Sequence, residues 1–197
     1  MQAIREQLFA DNTAIFYTSD HGENKGDHGM WWKSCMFEPS ARIPLLAHWP
    51  RRWAGGQRRR GACSLVDLTR TLAALGEAGV PADWDGASLL PWLDDERHPW
   101  RDLAVSEYYA SGISGYSMLR QGRYKYVYHT RAGEAVPPER ELYDLETDPG
   151  EFRNLAADRD RAALIVRLHA TLVREVGRDP EEIERQARQE LARGYEG

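Results

Sequence analysis

"TAIFYTSDHGENKGDHGMWWKSCMFEPSARIPLLAHWP", residues 13–50, holds two apolar runs separated by a dense polar loop, and the reading of those runs decides the fold. The first, residues 13–19, is β-branched and aromatic and carries no charge, the composition of an interior strand covered on both faces, as in a parallel sheet. The second, residues 43–50, is closed by Pro50, which cannot continue a central strand. Between them stand Asp20, His21, Asp27, His28 and Lys33. In a parallel α/β sheet, ligands bind in the crevice beyond the carboxyl ends of the strands, which is where Asp20 and His21 fall. A carboxylate beside an imidazole, with Gly22 letting the backbone turn away, makes half of a site for a divalent cation. The structural alternative is that Asp20 caps the next segment and His21 bonds a loop carbonyl. Asp27 and His28 sit in "NKGDHG", whose two glycines suggest a mobile loop, and neither is an obvious further ligand.

Lys33 adds weight, because the chain uses 23 arginines and only three lysines. A compact ammonium can neutralise an anionic ester oxygen or stabilise a departing alkoxide, and partial burial beside the neighbouring tryptophans would tune its pKa.

Outward from this stretch, Leu65, Leu68, Leu72 and Leu75 follow helical spacing. Ser64 with Asp67 reads as a capping box, and Gly79 with Pro81 as the stop. Strands are predicted at "LAVSEYY", "GYSMLRQ" and "RYKYVYH", forming a small antiparallel sheet with a turn at Gly122. "RAGEAVPPERE" reads as a polar loop and "LYDLETDPGE" as a turn, while Leu164, Leu168, Leu172 and Val176 stripe a helix that packs on the sheet. Residues 180–197, helix-prone and rich in charge, read as a solvated helix, with a partner-binding arm as the alternative. Ile4, Leu8 and Phe9 suggest a helix ending near residues 11–12. The expected organisation is an α/β region over residues 1–100, the small sheet and its helix over 101–178, and a charged helical tail over 179–197.

At 197 residues, with 42% hydrophobic and 29% charged content, the chain can bury a sizeable core. Its net charge of −5 argues against a nucleic-acid binder, and no apolar run reaches the length of a membrane span. Two cysteines, Cys35 and Cys63, give neither a disulfide framework nor a CxxC metal site. "RRWAGGQRRR", residues 51–60, is a local basic exception that could attract an anion but reads, with Gly55 and Gly56 inside it, as a solvated loop. Cytoplasm is the default expectation for localisation and a bacterial periplasm the alternative.

The extended pattern of DHG, a second HG, a lysine and "PSARIPL" resembles the active-site region of the sulfatase family of the alkaline-phosphatase superfamily, above all its choline-sulfatase-like and phosphonate-monoester-hydrolase-like branch. "ELYDLETDPGEFRNLA", residues 141–156, resembles the segment closing the small C-terminal domain of sulfatases, and "SLVDLTRTLAALGEAGVP" with "DGASLLPWL" resembles the helix and loop between. The resemblance implies an α/β fold: the C-terminal part of an alkaline-phosphatase-like parallel sheet with a small antiparallel-sheet-and-helix subdomain. It implies that Asp20 and His21 bind a divalent metal, calcium first and manganese second. It implies that Lys33 contacts the sulfate or phosphoryl oxygens and assists the leaving group. The nucleophile of the family is a formylglycine made within a C-x-P-x-R motif, expected in an N-terminal half upstream of these residues. "CMFEPSAR" does not replace it, because Pro39 and Arg42 follow Cys35 at offsets four and seven instead of two and four. The function so implied is that of the C-terminal portion of a sulfatase acting on sulfate esters, or on phosphonate or phosphate esters, and inactive alone. A non-catalytic binding module and one subunit of a split hydrolase are the alternatives. The implied partners are a small-molecule sulfate or phosphonate ester and the N-terminal half, with a homo-oligomer left open.

Overall fold

Ile15–Thr18 (β1) and Leu45–His48 (β2) pair in antiparallel register, Ile15 opposite His48 and Tyr17 opposite Leu46. The charge-free run leads one to expect a parallel, doubly flanked strand. Among the described residues β1 instead has β2 alone as its neighbour, and the facing pair Tyr17 and Leu46 stays 63% and 62% exposed. The computed structural model describes residue 6 and residues 10–110, 113–133 and 135–194, so the helix expected at Ile4, Leu8 and Phe9 lies outside the described residues. The chain divides into two units, Met1–Arg101 and Asp102–Gly197.

In the first unit, Glu38–Ala41 (α1) begins with Pro39 in its first turn, where the missing N–H costs nothing. Leu65–Leu75 (α2) starts at the expected capping box: Asp67 Oδ2 accepts from the Ser64 N–H at 2.8 Å and from its hydroxyl at 3.1 Å. The buried face of α2, however, is Asp67, Leu68 and Thr71, while Leu65 and Leu72 of the leucine stripe remain exposed. The buried polar groups are satisfied across the helix. Asp67 Oδ1 accepts from Ala87 N at 2.8 Å and from Arg101 Nη2 at 3.1 Å, and Thr71 Oγ1 accepts from Leu89 N at 2.8 Å. Gly86 makes this approach feasible: its φ is +81°, and a Cβ there would sit 2.8 Å from the Val66 carbonyl carbon. Leu90–Asp94 (α3) follows, with Trp92 stacked on Trp100 at 5.1 Å.

The second unit is a four-stranded antiparallel meander in chain order: Leu103–Tyr108 (β3), Tyr116–Gln121 (β4), Tyr124–His129 (β5) and Glu139–Asp144 (β6). One face packs against Ala162–Val176 (α4) through Leu103, Leu119, Tyr126, Leu142, Ile165, Leu168 and Leu172. Burying side chains of this size contributes about 1.5–3 kcal/mol each. Leu164 packs at the margin of the same core. The first three strands and the helix stripe are as the sequence predicts.

β6 corrects the reading of residues 131–151 as loop and turn. Its buried Leu142 lies opposite Tyr126, but four of its six residues, Glu139, Arg140, Glu141 and Asp144, are charged, so no apolar alternation advertises it: His129 Nε2 lies 2.6 Å from Glu141 Oε1, and Arg140 sits over the Tyr128 ring. Arg123 forms a two-pronged pair with Asp144. The outer edge of β6 is then closed by its own continuation, with Asn154 Oδ1 accepting from Leu142 N at 3.0 Å and Leu155 N donating to Leu142 O at 2.8 Å.

Pro180–Arg193 (α5) is a second correction. It is docked on the unit through carboxylates, not solvated all round. Glu184 is buried and accepts from Ala110 N at 2.8 Å and from Arg188 Nε, and Glu181 Oε1 accepts from the Tyr128 hydroxyl at 2.9 Å. The apolar positions Ile183, Ala187 and Leu191 of α5 are few among the charges, and nothing in the pattern marks Glu181 and Glu184 as docking groups.

Candidate active site

The polar loop is built around the close approach of two segments. Gly22 N donates to Ser40 O at 2.8 Å, and a Cβ on Gly22 would collide with the Pro39 carbonyl oxygen, so only glycine lets the DHG turn lie against α1. Ser40 is buried, and its hydroxyl donates to the Lys33 carbonyl. One residue of "PSAR" thus fixes the backbone at both Gly22 and Lys33. Nothing in the sequence marks Ser40 for this role, because the contact joins backbone groups far apart in the chain.

The segment between is a closed turn and not an open loop. Gly26 N donates to Met30 O at 2.8 Å and Asp27 N to Asn24 O at 2.9 Å. Asn24, buried, donates through Nδ2 to the Trp32 carbonyl and to Cys35 Sγ at 3.1 Å. His28 stacks on Phe37 at 3.8 Å and 1° between planes.

This scaffold gathers Asp20, His21 and Lys33. His21 Nδ1 lies 2.9 Å from the Gly22 carbonyl. A carbonyl can only accept, so Nδ1 carries the proton and Nε2 presents its lone pair. That lone pair faces Lys33 Nζ at 2.6 Å and Asp20 Oδ2 at 3.3 Å. The backbone N–H groups of Asp20 itself and of His21 hold the Asp20 carboxyl below the usual carboxylate range, with Lys33 and His21 adding to the effect. Asp20 is largely solvent-facing and Lys33 is exposed, as are Trp31 and Trp32 at 71% and 76%. The expected burial of Lys33 beside tryptophans therefore does not occur in this chain.

The donor set suits a divalent cation as far as it goes. Two donors that each lie about 2.0–2.6 Å from one ion stand roughly 3 Å apart, as Asp20 Oδ2 and His21 Nε2 do. Among the described residues no group of three His, Cys, Asp or Glu converges to complete such a site. Both cysteines are free. Burial, with Asp67 nearby, pushes the Cys63 thiol up to about 11, so it is protonated at neutral pH.

The family model described as "N-sulphoglucosamine sulphohydrolase, C-terminal" matches residues 26–178. Arylsulfatase K of Canis lupus familiaris is 34% identical over 165 residues, covering 78% of this chain and 30% of that protein. Choline-sulfatase of Rhizobium meliloti (strain 1021) is 38% identical over 152 residues, covering 74% of this chain and 27% of that protein. Among solved structures, BT4656 in complex with its substrate D-glucosamine-2-N,6-O-disulfate superposes with a TM-score of 0.81 at 28% identity, over 92% of this chain and 38% of that one. The phosphonate monoester hydrolase of Agrobacterium radiobacter gives 0.75 at 32% identity, over 89% of this chain and 37% of that one. The chain thus spans about 30% of the length of the curated relatives it matches. Its fold class is mixed helix and sheet, shared with sulfatases of alkaline-phosphatase-like architecture.

Proposed function

Because the chain belongs to the N-sulphoglucosamine sulphohydrolase C-terminal family, we propose that it is the C-terminal portion of a metal-dependent sulfatase hydrolysing sulfate esters, completed by an upstream portion that supplies the formylglycine nucleophile. The observation that carries this reading is the convergence of Asp20 Oδ2, His21 Nε2 and Lys33 Nζ at the end of β1. Asp20 and His21 would hold the divalent cation, calcium first and manganese second. When bound, the cation would supply Lewis-acid polarisation of the ester oxygens and positive charge beside the nucleophile. Asp20, kept ionised by backbone N–H groups, contributes a charged oxygen. His21, with its tautomer fixed by the Gly22 carbonyl, would contribute Nε2 once the Lys33 ammonium, 2.6 Å from that nitrogen, turns away from it. Lys33 holds exposed donors beside them, placed to meet the anionic ester oxygens and to steady the departing alkoxide.

The substrate class we favour is the sulfate ester of a sugar, on the strength of the glucosamine disulfate that BT4656 takes as its substrate. A phosphonate monoester is the second reading, favoured by the 32% identity to the Agrobacterium hydrolase. The upstream portion is also favoured by the surface of the first unit, where Tyr17, Leu46, Trp31, Trp32 and Leu72 are exposed apolar groups of the kind a covering segment buries.

In the complete protein, Lys33→Ala should lower turnover of 4-nitrophenyl sulfate by about 10²-fold or more, the loss expected for a preorganised charge aimed at the transition state. Cys35→Ala should leave turnover largely intact, because Cys35 Sγ is engaged by Asn24. Unchanged steady-state kinetics for the lysine variant would remove Lys33 from the chemistry.

A further inference from the structure

Between Arg51 and Arg60 the chain carries five arginines and no acid, and both ends of this loop are tied to one short helix. Arg52 grips Asp94 with two arms, Nε to Oδ1 at 2.7 Å and Nη2 to Oδ2 at 2.6 Å, and Trp53 Nε1 donates to the same Oδ1 at 2.9 Å. Seven residues on, Arg59 donates to the carbonyls of Trp92 at 2.8 Å and Leu93 at 3.2 Å. Residues 92–94 lie within one turn of α3, so the two anchors are held close together. Inside the loop, Gln57 donates to Ala54 O at 3.1 Å and accepts from Arg59 at 2.7 Å. The expected freely solvated loop is therefore a stapled one.

Arg51, Arg58 and Arg60 are exposed and, among the described residues, form no hydrogen bond or ion pair. Burial over residues 58–60 alternates exposed, half-buried, exposed. Arg58 and Arg60 are thus open to solvent while Arg59 between them turns onto α3. Across residues 51–60 and 94–97, six arginines face three acids, an excess of three positive charges in a chain whose net charge is −5.

We propose that this loop is a docking surface for a sulfate-bearing polysaccharide, gripped by Arg51, Arg58 and Arg60. The inference rests on the sulfated-sugar reading of the site. The planar guanidinium fork matches paired oxyanion oxygens, and anchoring the loop through Arg52 and Arg59 lowers the ordering cost of presenting the other three. A single-stranded nucleic acid fits less well, since it needs open aromatic faces. Trp53 is buried, and Trp49 is packed edge-on against it at 5.7 Å with its Nε1 donating to Asp11 O.

Calorimetric titration of the 197-residue chain with a heparin-derived hexasaccharide at several salt concentrations tests the proposal. The combined substitution Arg51→Gln, Arg58→Gln, Arg60→Gln should weaken binding by about tenfold or more and flatten the slope of log K against log salt by roughly one unit per arginine. The matched set Arg153→Gln, Arg167→Gln, Arg193→Gln, exposed elsewhere, should change affinity by no more than about twofold. Equal weakening by both sets, an unaffected loop variant, or equally tight binding of an oligothymidylate of the same charge would each overturn it. Hydrolysis of a glucosamine sulfate by the complete protein separates the two readings. Binding that depends on the loop arginines without such hydrolysis removes the proposed activity alone, and hydrolysis without such binding removes this surface alone.

Discussion

Lys125 and Glu151 pose the sharpest energetic question at the residue scale. Both side chains are 1% exposed, and their charges meet at 2.8 Å, with Glu151 held at a φ of +57° by the turn after β6. Removing one partner strands a buried charge, and such changes cost about 3–5 kcal/mol. Lys125→Met alone should therefore lower the unfolding free energy by that amount in urea titrations. Lys125→Met with Glu151→Leu should recover most of it, and a double variant no better than the single one would show that the pair acts through other contacts. At the same scale, the proposed ligands Asp20 and His21 would supply only two of the six to eight that calcium seeks, so under that proposal the isolated chain should bind calcium only weakly. Sub-micromolar affinity by calorimetry would show that the ligand set is larger than these two. What could be read from sequence here was the chemistry carried by side chains in one short stretch: Asp20, His21 and Lys33 lie in fourteen consecutive positions. The Ser40 clasp and the Gly22 contact could not be read, because they depend on where a second segment folds back.

Elements differ in how openly they announce themselves. β3, β4, β5 and α4 were legible because their inward positions are apolar at the spacing each structure requires. β6 and α5 were not, since charged residues outnumber apolar ones in both, and the inward face of α2 carries Asp67 and Thr71 where a leucine stripe led one to look. The α4–sheet junction also contains a titrating group. Burial first, then the charge of Arg140, holds the His169 imidazole below its ordinary value of 6.5, with Asp179 opposing, and its Nδ1 lies 3.1 Å from the Tyr126 hydroxyl. The unfolded chain takes up a proton there as pH falls below 6.5 while the folded chain resists. Stability contributed by neutral His169 is thus present above that value and lost as pH falls through the lowered one. Urea melts at about pH 7.5 and about pH 5.5 should show a smaller pH-dependent loss for His169→Gln than for the parent chain. An identical loss in both would place the pH sensitivity elsewhere.

At the scale of the whole molecule, both units bury apolar groups and both leave some exposed. The second closes a core between its sheet and α4 yet leaves Ile113, Phe152 and Val166 exposed, and the first leaves Tyr17, Leu46, Trp31, Trp32, Leu65, Val66 and Leu72 exposed. The family resemblance was legible because DHG, the lysine and "PSARIPL" each serve local geometry. The parallel neighbour expected for β1 was not found, because among the described residues only β2 adjoins it. The most direct test measures 4-nitrophenyl sulfate hydrolysis by the purified 197-residue chain, alone and combined with the corresponding N-terminal portion. The expected result is no turnover alone and turnover on combination that requires Lys33. Turnover by the chain alone, abolished by Cys35→Ala and unaffected by Lys33→Ala, would contradict both the incomplete site and the roles assigned within it.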